Sequence, residues 1–125
     1  MMKLTRKEFE EVVVSALKGL PKSAKKKMKN IDVVVEKQAS RDLLYEVGLH
    51  SPFELLGLYQ GIPLDQRGFY YGNVLPDKIT LFQVPIESIC ETKEEIEEKV
   101  REVVVHEVGH YFGLNDERLR ELENE

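Results

Sequence analysis

The chain has 125 residues, 42% of them hydrophobic and 33% charged, with a formal net charge of −5. That length suits one domain with one real core, and the apolar share excludes a disordered or fibrous chain. The negative balance argues against a general nucleic-acid binder, and no apolar run approaches the roughly 18 residues of a membrane span, so no membrane partner is expected.

A lone cysteine, Cys90, cannot form an internal disulfide and reads as a small buried hydrophobe of a reducing compartment. The first residues, MMKLTRKEFEE, lack the apolar stretch of a signal peptide, so the expectation is a cytoplasmic protein without a pro-segment.

Thr5 and Glu8 have capping-box spacing, and Phe9, Val12, Val13, Ala16, Leu17 and Leu20 recur at helical intervals, which predicts an amphipathic helix over 6–18. Gly19 and Pro21 stop it. The basic run over 22–29 reads as a solvated linker face, with a phosphate or nucleic-acid patch as the alternative. The β-branched stretch over 31–36 predicts a strand. Ser40 as N-cap and Gly48 as terminator frame a short helix, and His50 reads as a surface-loop histidine. Ser51, Pro52 and Glu54 have the pattern that opens a single helical turn.

Residues 56–60 predict a short strand. Residues 61–77 form a loop with Gly61, Pro63, Gly68, Gly72 and Pro76 and an aromatic cluster of Phe69, Tyr70 and Tyr71. It reads equally as a lid over a cleft or as a hairpin tip packed down by its aromatics. Tyr59, Tyr70 and Tyr71 are all candidates to polarise a carbonyl, and nothing in the sequence chooses among them. Residues 78–83 alternate as a half-buried strand, with Pro85 behind it compatible with a sheet edge and a turn of helix over 85–90. Thr92 and Glu95 form a second capping box opening a long helix. Ile96, Val100, Val103, Val104, Val108, Tyr111 and Phe112 supply its apolar positions, with Val105 on the opposite side. Residues 117–122 predict a short last helix.

The long helix ends in VVVHEVGHYFGLNDER over 103–118. His106 and His110, at i and i+4, lie one above the other on one helix face, where both imidazoles can reach one ion. Glu107 follows about 100° round the helix, near such an ion without having to bind it. There it can take a proton from a water. Gly113 suits the left-handed helix terminator, and Asp116 then offers a carboxylate as third ligand. Glu117 beside it, and Glu121 or Glu123 further on, are the alternatives to Asp116 as ligand, and the plain alternative for Asp116 is an N-cap of the last helix. A chance HExxH, or a merely hydrogen-bonded histidine pair, is the plain alternative.

The HExxHxxGxxD pattern resembles the zincins, in particular those with the metzincin-type motif, whose third ligand falls at Asp116. Asp replaces the more usual His, and no methionine follows Met28, so a methionine turn is absent. The stretch LLGLYQGIPL over 55–64 is similar to one carried, in the same order and at the same spacing, by a small family of minimal zincin-like metallopeptidases of bacteria. The resemblance covers nearly the whole chain, including the N-terminal helix. It implies a compact α+β zincin-like domain, a small mixed sheet of about three or four strands packed on an active-site helix. It implies one zinc ion per chain on His106, His110 and Asp116. It also implies a zinc metallopeptidase that cleaves a peptide or protein substrate with a zinc-activated water and Glu107 as general base. In zincins the strand before the active-site helix often forms the upper rim of the cleft and pairs with extended peptide, which would give that role to 78–83.

Two readings compete. One is a metal-dependent endoribonuclease resembling the rRNA-maturation type. Those enzymes carry Gly after the first His and end on a third His, so Glu107 and Asp116 point away from them, while Lys25 to Lys29 is in their favour. The other is a zinc-stabilised binding module with little catalysis.

Overall fold

The computed structural model describes residues 1–61 and 77–111. The aromatic part of the predicted loop, Gly113, Asp116, Glu117 and the predicted last helix lie outside the described residues.

Helix α1 (Arg6–Lys18) opens with the expected capping box. The Glu8 N–H donates to Thr5 Oγ1 at 3.1 Å, and the Thr5 N–H donates to Glu8 Oε1 at 2.9 Å. These bonds to Thr5, the one from its backbone foremost, hold the Glu8 carboxyl below its usual range. Phe9, Val13 and Ala16 form the buried face. The basic run is not a linker: Lys22–Lys27 coils into a short helix, α2. Ala24, only 2% exposed, enters the core and winds the flanking lysines around it.

Strand β1 (Ile31–Glu36) leads to α3 (Arg41–Val47), where Ser40 caps the Leu43 N–H and Gly48 ends the helix at a φ of 77°. A 3-10 turn (Pro52–Glu54) precedes β2 (Gly57–Gln60). Then follow β3 (Asp77–Phe82), α4 (Gln83–Ser88) and the long α5 (Lys93–Tyr111). At the start of α5 the capping is only half as expected. The Glu95 N–H donates to Thr92 Oγ1 at 3.1 Å, but the Glu95 carboxylate accepts from the Glu91 N–H at 2.8 Å instead of from Thr92.

Among the described residues three strands form a mixed sheet in the order β1-β3-β2, with β1 parallel and β2 antiparallel to β3. This is the small α+β architecture that the sequence implies. It places β3, the strand expected at the rim, in the middle. Hydrogen bonded on both sides, β3 has no edge to offer an incoming peptide. Both of its faces are buried too: Ile79 and Leu81 on one, Thr80 and Phe82 on the other. Thr80 gave the strand the look of a half-exposed one. Pro85 follows no edge; it lies in the first turn of α4, where a missing N–H breaks no helical bond.

The main core lies between one sheet face (Val35, Ile79, Leu81), α1 (Phe9, Val13, Ala16) and α5 (Ile96, Val100, Val104, Val108). Cys90 belongs to it as a small hydrophobe, and burial pushes its thiol up. Val105, expected on the far side of α5, is 2% exposed. α5 contacts α1, α2, α4, β2 and β3, so its apolar positions are met from several sides. On the other sheet face Phe82 gathers Ala39 and Leu44, with Leu43, Leu49, Leu55 and Leu58 around them. Burying a side chain such as Phe82 or Leu44 contributes about 1.5–3 kcal/mol. That smaller cluster ties α3 and the 3-10 turn to the sheet. No described helix is long and apolar enough to cross a membrane.

β2 and α5 approach closely at Gly57, where an added Cβ would lie 2.6 Å from Val103 Cγ1. Gly57→Ala should therefore destabilise the fold by about 1–3 kcal/mol, the usual range for forced overpacking. The urea midpoint reads this. Adding Val103→Ala should cost less in the Gly57→Ala background than in the wild type. An unchanged midpoint for Gly57→Ala would contradict the close approach.

Candidate active site

The last two turns of α5 bring His106, Glu107 and His110 to one place, as their spacing requires. The two imidazole centroids are 6.0 Å apart with planes at 26°. With ring nitrogens binding zinc at about 2.0–2.1 Å, that separation lets both rings reach one ion. His106 is half-buried, with Nδ1 fully enclosed, and His110 is exposed.

Glu107 turns to the sheet. Its Oε1 accepts a hydrogen bond from the Tyr59 N–H at 2.9 Å. The Phe82 N–H donates to the Leu56 carbonyl, so the backbone groups of Leu56, Leu58 and Gln60 face β3. By alternation, those of Gly57 and Tyr59 face the opposite edge of β2. The Glu107 carboxylate thus meets the sheet at the outer edge of β2, the strand beside the histidines.

Tyr59 is held at three points. Beyond its N–H, its ring stacks on Tyr111, with centroids 4.0 Å apart and planes at 20°. Its hydroxyl donates to Asp77 Oδ2 at 2.5 Å. Tyr59 pairs with Ile79 across the sheet, so Asp77 is its diagonal neighbour on the same face, within reach of a long side chain. Tyr59, a candidate to polarise a carbonyl, thus gives its hydroxyl to a carboxylate that is itself 6% exposed. Tyr70 and Tyr71, the other candidates, lie outside the described residues. Tyr111 also closes over the end of β2: a Cβ on Gly61 would come within 2.7 Å of its ring. Sequence reasoning missed the parts played by Tyr111 and Asp77. Tyr111 sat in the pattern as one more apolar helix position, and a single Asp before a strand carries no signal.

A cleft of about 320 Å³ runs along α5 from Lys99 to His110, roughly 16 Å at 1.5 Å per residue. His106, Glu107 and His110 line one end. Leu55, Leu56, Gly57 and Val103 form an apolar stretch, and Glu54, Lys99 and Glu102 add charge. Lys99 Nζ lies 3.1 Å from Glu102 Oε2. Among the described residues no three His, Cys, Asp or Glu side chains are grouped to hold a metal ion. The candidates for third ligand, Asp116, Glu117, Glu121 and Glu123, lie outside the described residues.

A family model described as zincin-like metallopeptidase matches residues 28–125. The match takes in the sheet, the cleft and the histidine helix, and leaves out α1. No curated protein matches the chain.

The Tyr59 anchor is testable by stability. Tyr59→Phe keeps the ring and removes the bond to Asp77, and should cost about 1–3 kcal/mol in urea unfolding, the range for disturbing a buried polar pair. Asp77→Asn, which keeps an acceptor oxygen, should cost less than Asp77→Ala. Equal midpoints for wild type and Tyr59→Phe would mean that the hydroxyl anchors nothing.

Proposed function

The chain belongs to the zincin-like metallopeptidase family, and from that premise we propose that it is a zinc-dependent metallopeptidase in which His106, His110 and Asp116 hold one zinc ion and Glu107 is the general base. The observation that carries this reading is the setting of Glu107. Its carboxylate lies in the same cleft as both imidazoles and is steadied by the Tyr59 N–H.

The residues fit the ion. Imidazole nitrogen and carboxylate oxygen are accepted zinc donors, and the two rings stand one helical turn apart at a workable separation. Zinc, when bound, supplies Lewis acidity, polarising a peptide carbonyl and making a water easier to deprotonate. Glu107 does the proton work. Oε1 is engaged by the Tyr59 N–H, which leaves Oε2 to accept the proton from the attacking water. The same carboxyl then returns it to the amine nitrogen that leaves.

Substrate orientation falls to β2. At its outer edge the Tyr59 N–H is given to Glu107, while the Gly57 backbone turns away from β3, so an extended peptide adding to this edge would pair at Gly57. The apolar stretch at Leu55, Leu56 and Val103 gives such a peptide a surface on which to lay side chains.

Elemental analysis of purified protein should find about one zinc per chain. His106→Ala and His110→Ala should each abolish binding, and Asp116→Ala should weaken it strongly. If Glu117→Ala releases the metal and Asp116→Ala does not, the third ligand is Glu117. Glu107→Gln should keep its zinc and lose roughly two to four orders of magnitude in peptide cleavage. Undiminished cleavage by zinc-replete Glu107→Gln protein would sink the assignment of the base.

A further inference from the structure

Glu54 stands in the lining of the cleft, and its carboxylate is held in an asymmetric way. Oε2 accepts two hydrogen bonds, from the His50 N–H at 2.9 Å and the Ser51 N–H at 3.0 Å. The Ser51 bond closes the capping box of the 3-10 turn that Ser51 opens, and the His50 bond adds a second donor from the residue before it. Oε1 accepts no hydrogen bond from a described residue, and the side chain is exposed. The two N–H donors, Ser51 first, hold the carboxyl below its ordinary value, so it is ionised at neutral pH. A side chain already fixed by two bonds has little rotamer freedom left to lose when a ligand arrives.

Among the described residues none forms an ion pair with this carboxylate, although the nearby His50 favours its charged form. Lys99 lies along the same cleft, but its ammonium is 3.1 Å from Glu102 and pairs there. Between Glu54 and the histidines run Leu55 and Leu56, with Val103 opposite on α5. An apolar bed beside a fixed anion suits a long cationic side chain, whose methylenes cover the leucines while its head meets the oxygen. Arginine, with its planar fork of donors, suits a carboxylate best.

We propose that Glu54 is a specificity-determining residue and that the substrate of this cleft is a peptide carrying a basic side chain, arginine above lysine, among apolar residues. This rests on the peptidase reading and adds the substrate class to it. The pair would form at an exposed rim, so its effect is a preference of about two- to five-fold, weakened by salt.

Binding, measured apart from turnover, tests it. Zinc-loaded Glu107→Gln protein is titrated by fluorescence anisotropy with labelled ten-residue apolar peptides that differ at one position, carrying Arg, Lys, Gln or Glu there and scanned along the peptide. At low salt the Arg peptide should bind about two- to five-fold more tightly than its Gln counterpart in the best register, and the Glu peptide more weakly still. Adding Glu54→Gln, whose amide oxygen can still accept the two N–H bonds, should erase the difference between Arg and Gln. Lys99→Gln, which leaves Glu102 without its cation and Glu54 untouched, should enlarge it. An Arg preference that survives Glu54→Gln, in protein with a wild-type circular dichroism spectrum, would overturn the proposal. So would equal binding of all four peptides. Failure of every peptide to bind would overturn the peptidase reading itself.

Discussion

The hydrogen bond from the Tyr59 N–H to Glu107 joins the two parts of this protein that must stay in register, the edge of the sheet and the histidine helix. Its usefulness depends on how little either partner can move. Tyr59 is fixed by its stack on Tyr111 and its bond to Asp77, and β2 is pressed on α5 where Gly57 faces Val103. In the proposed mechanism, a carboxylate that receives a proton in one place and releases it in another benefits from such a mount. A misplacement of about 1 Å at a reacting group can cost two orders of magnitude in rate.

The same constraint explains the depth of α5. Val100, Val104 and Val108 face the core, and even Val105 is covered, because α1, the sheet and α4 all pack on this helix. The last turns emerge from that burial, so His110 and Tyr111 are exposed while His106 and Glu107 are half-covered. A helix gripped along its length and open at its end presents side chains at fixed positions without burying the chemistry. Side chains mounted on such a helix are held more precisely than they would be on a loop.

Charge is arranged with similar economy. Lys99 is taken up by Glu102, and Glu107 is bound to the strand on one oxygen. Glu54, in the lining of the same cleft, spends one oxygen on capping a turn, and its other oxygen accepts no hydrogen bond from a described residue. One side chain therefore serves local folding and recognition together, which couples the shape of the 3-10 turn to the preference of the cleft.

The sequence by itself determined the local elements and the identity of the candidate chemistry. Capping residues at Thr5 and Ser40, a left-handed Gly48 and the i, i+4 histidines act within a few residues of themselves, so their geometry follows from spacing alone. The family was legible too: the resemblance drawn from the HExxH spacing and the LLGLYQGIPL stretch pointed to the zincin-like family whose model matches residues 28–125. What only the tertiary structure decided were the relations across the sheet. The predicted strand over 78–83 became the central strand Asp77–Phe82, with Gln83 opening α4, and 57–60 the outer described strand beside the helix, since pairing order is set by which strands β1 and β2 find, not by period-2 patterning. The basic run became a helix because Ala24 found a place in the core. The Tyr59 hydroxyl went to Asp77, and the Tyr59 N–H to Glu107, 48 residues away in the chain. Such contacts depend on register and packing between distant segments, and no local pattern of residues encodes them.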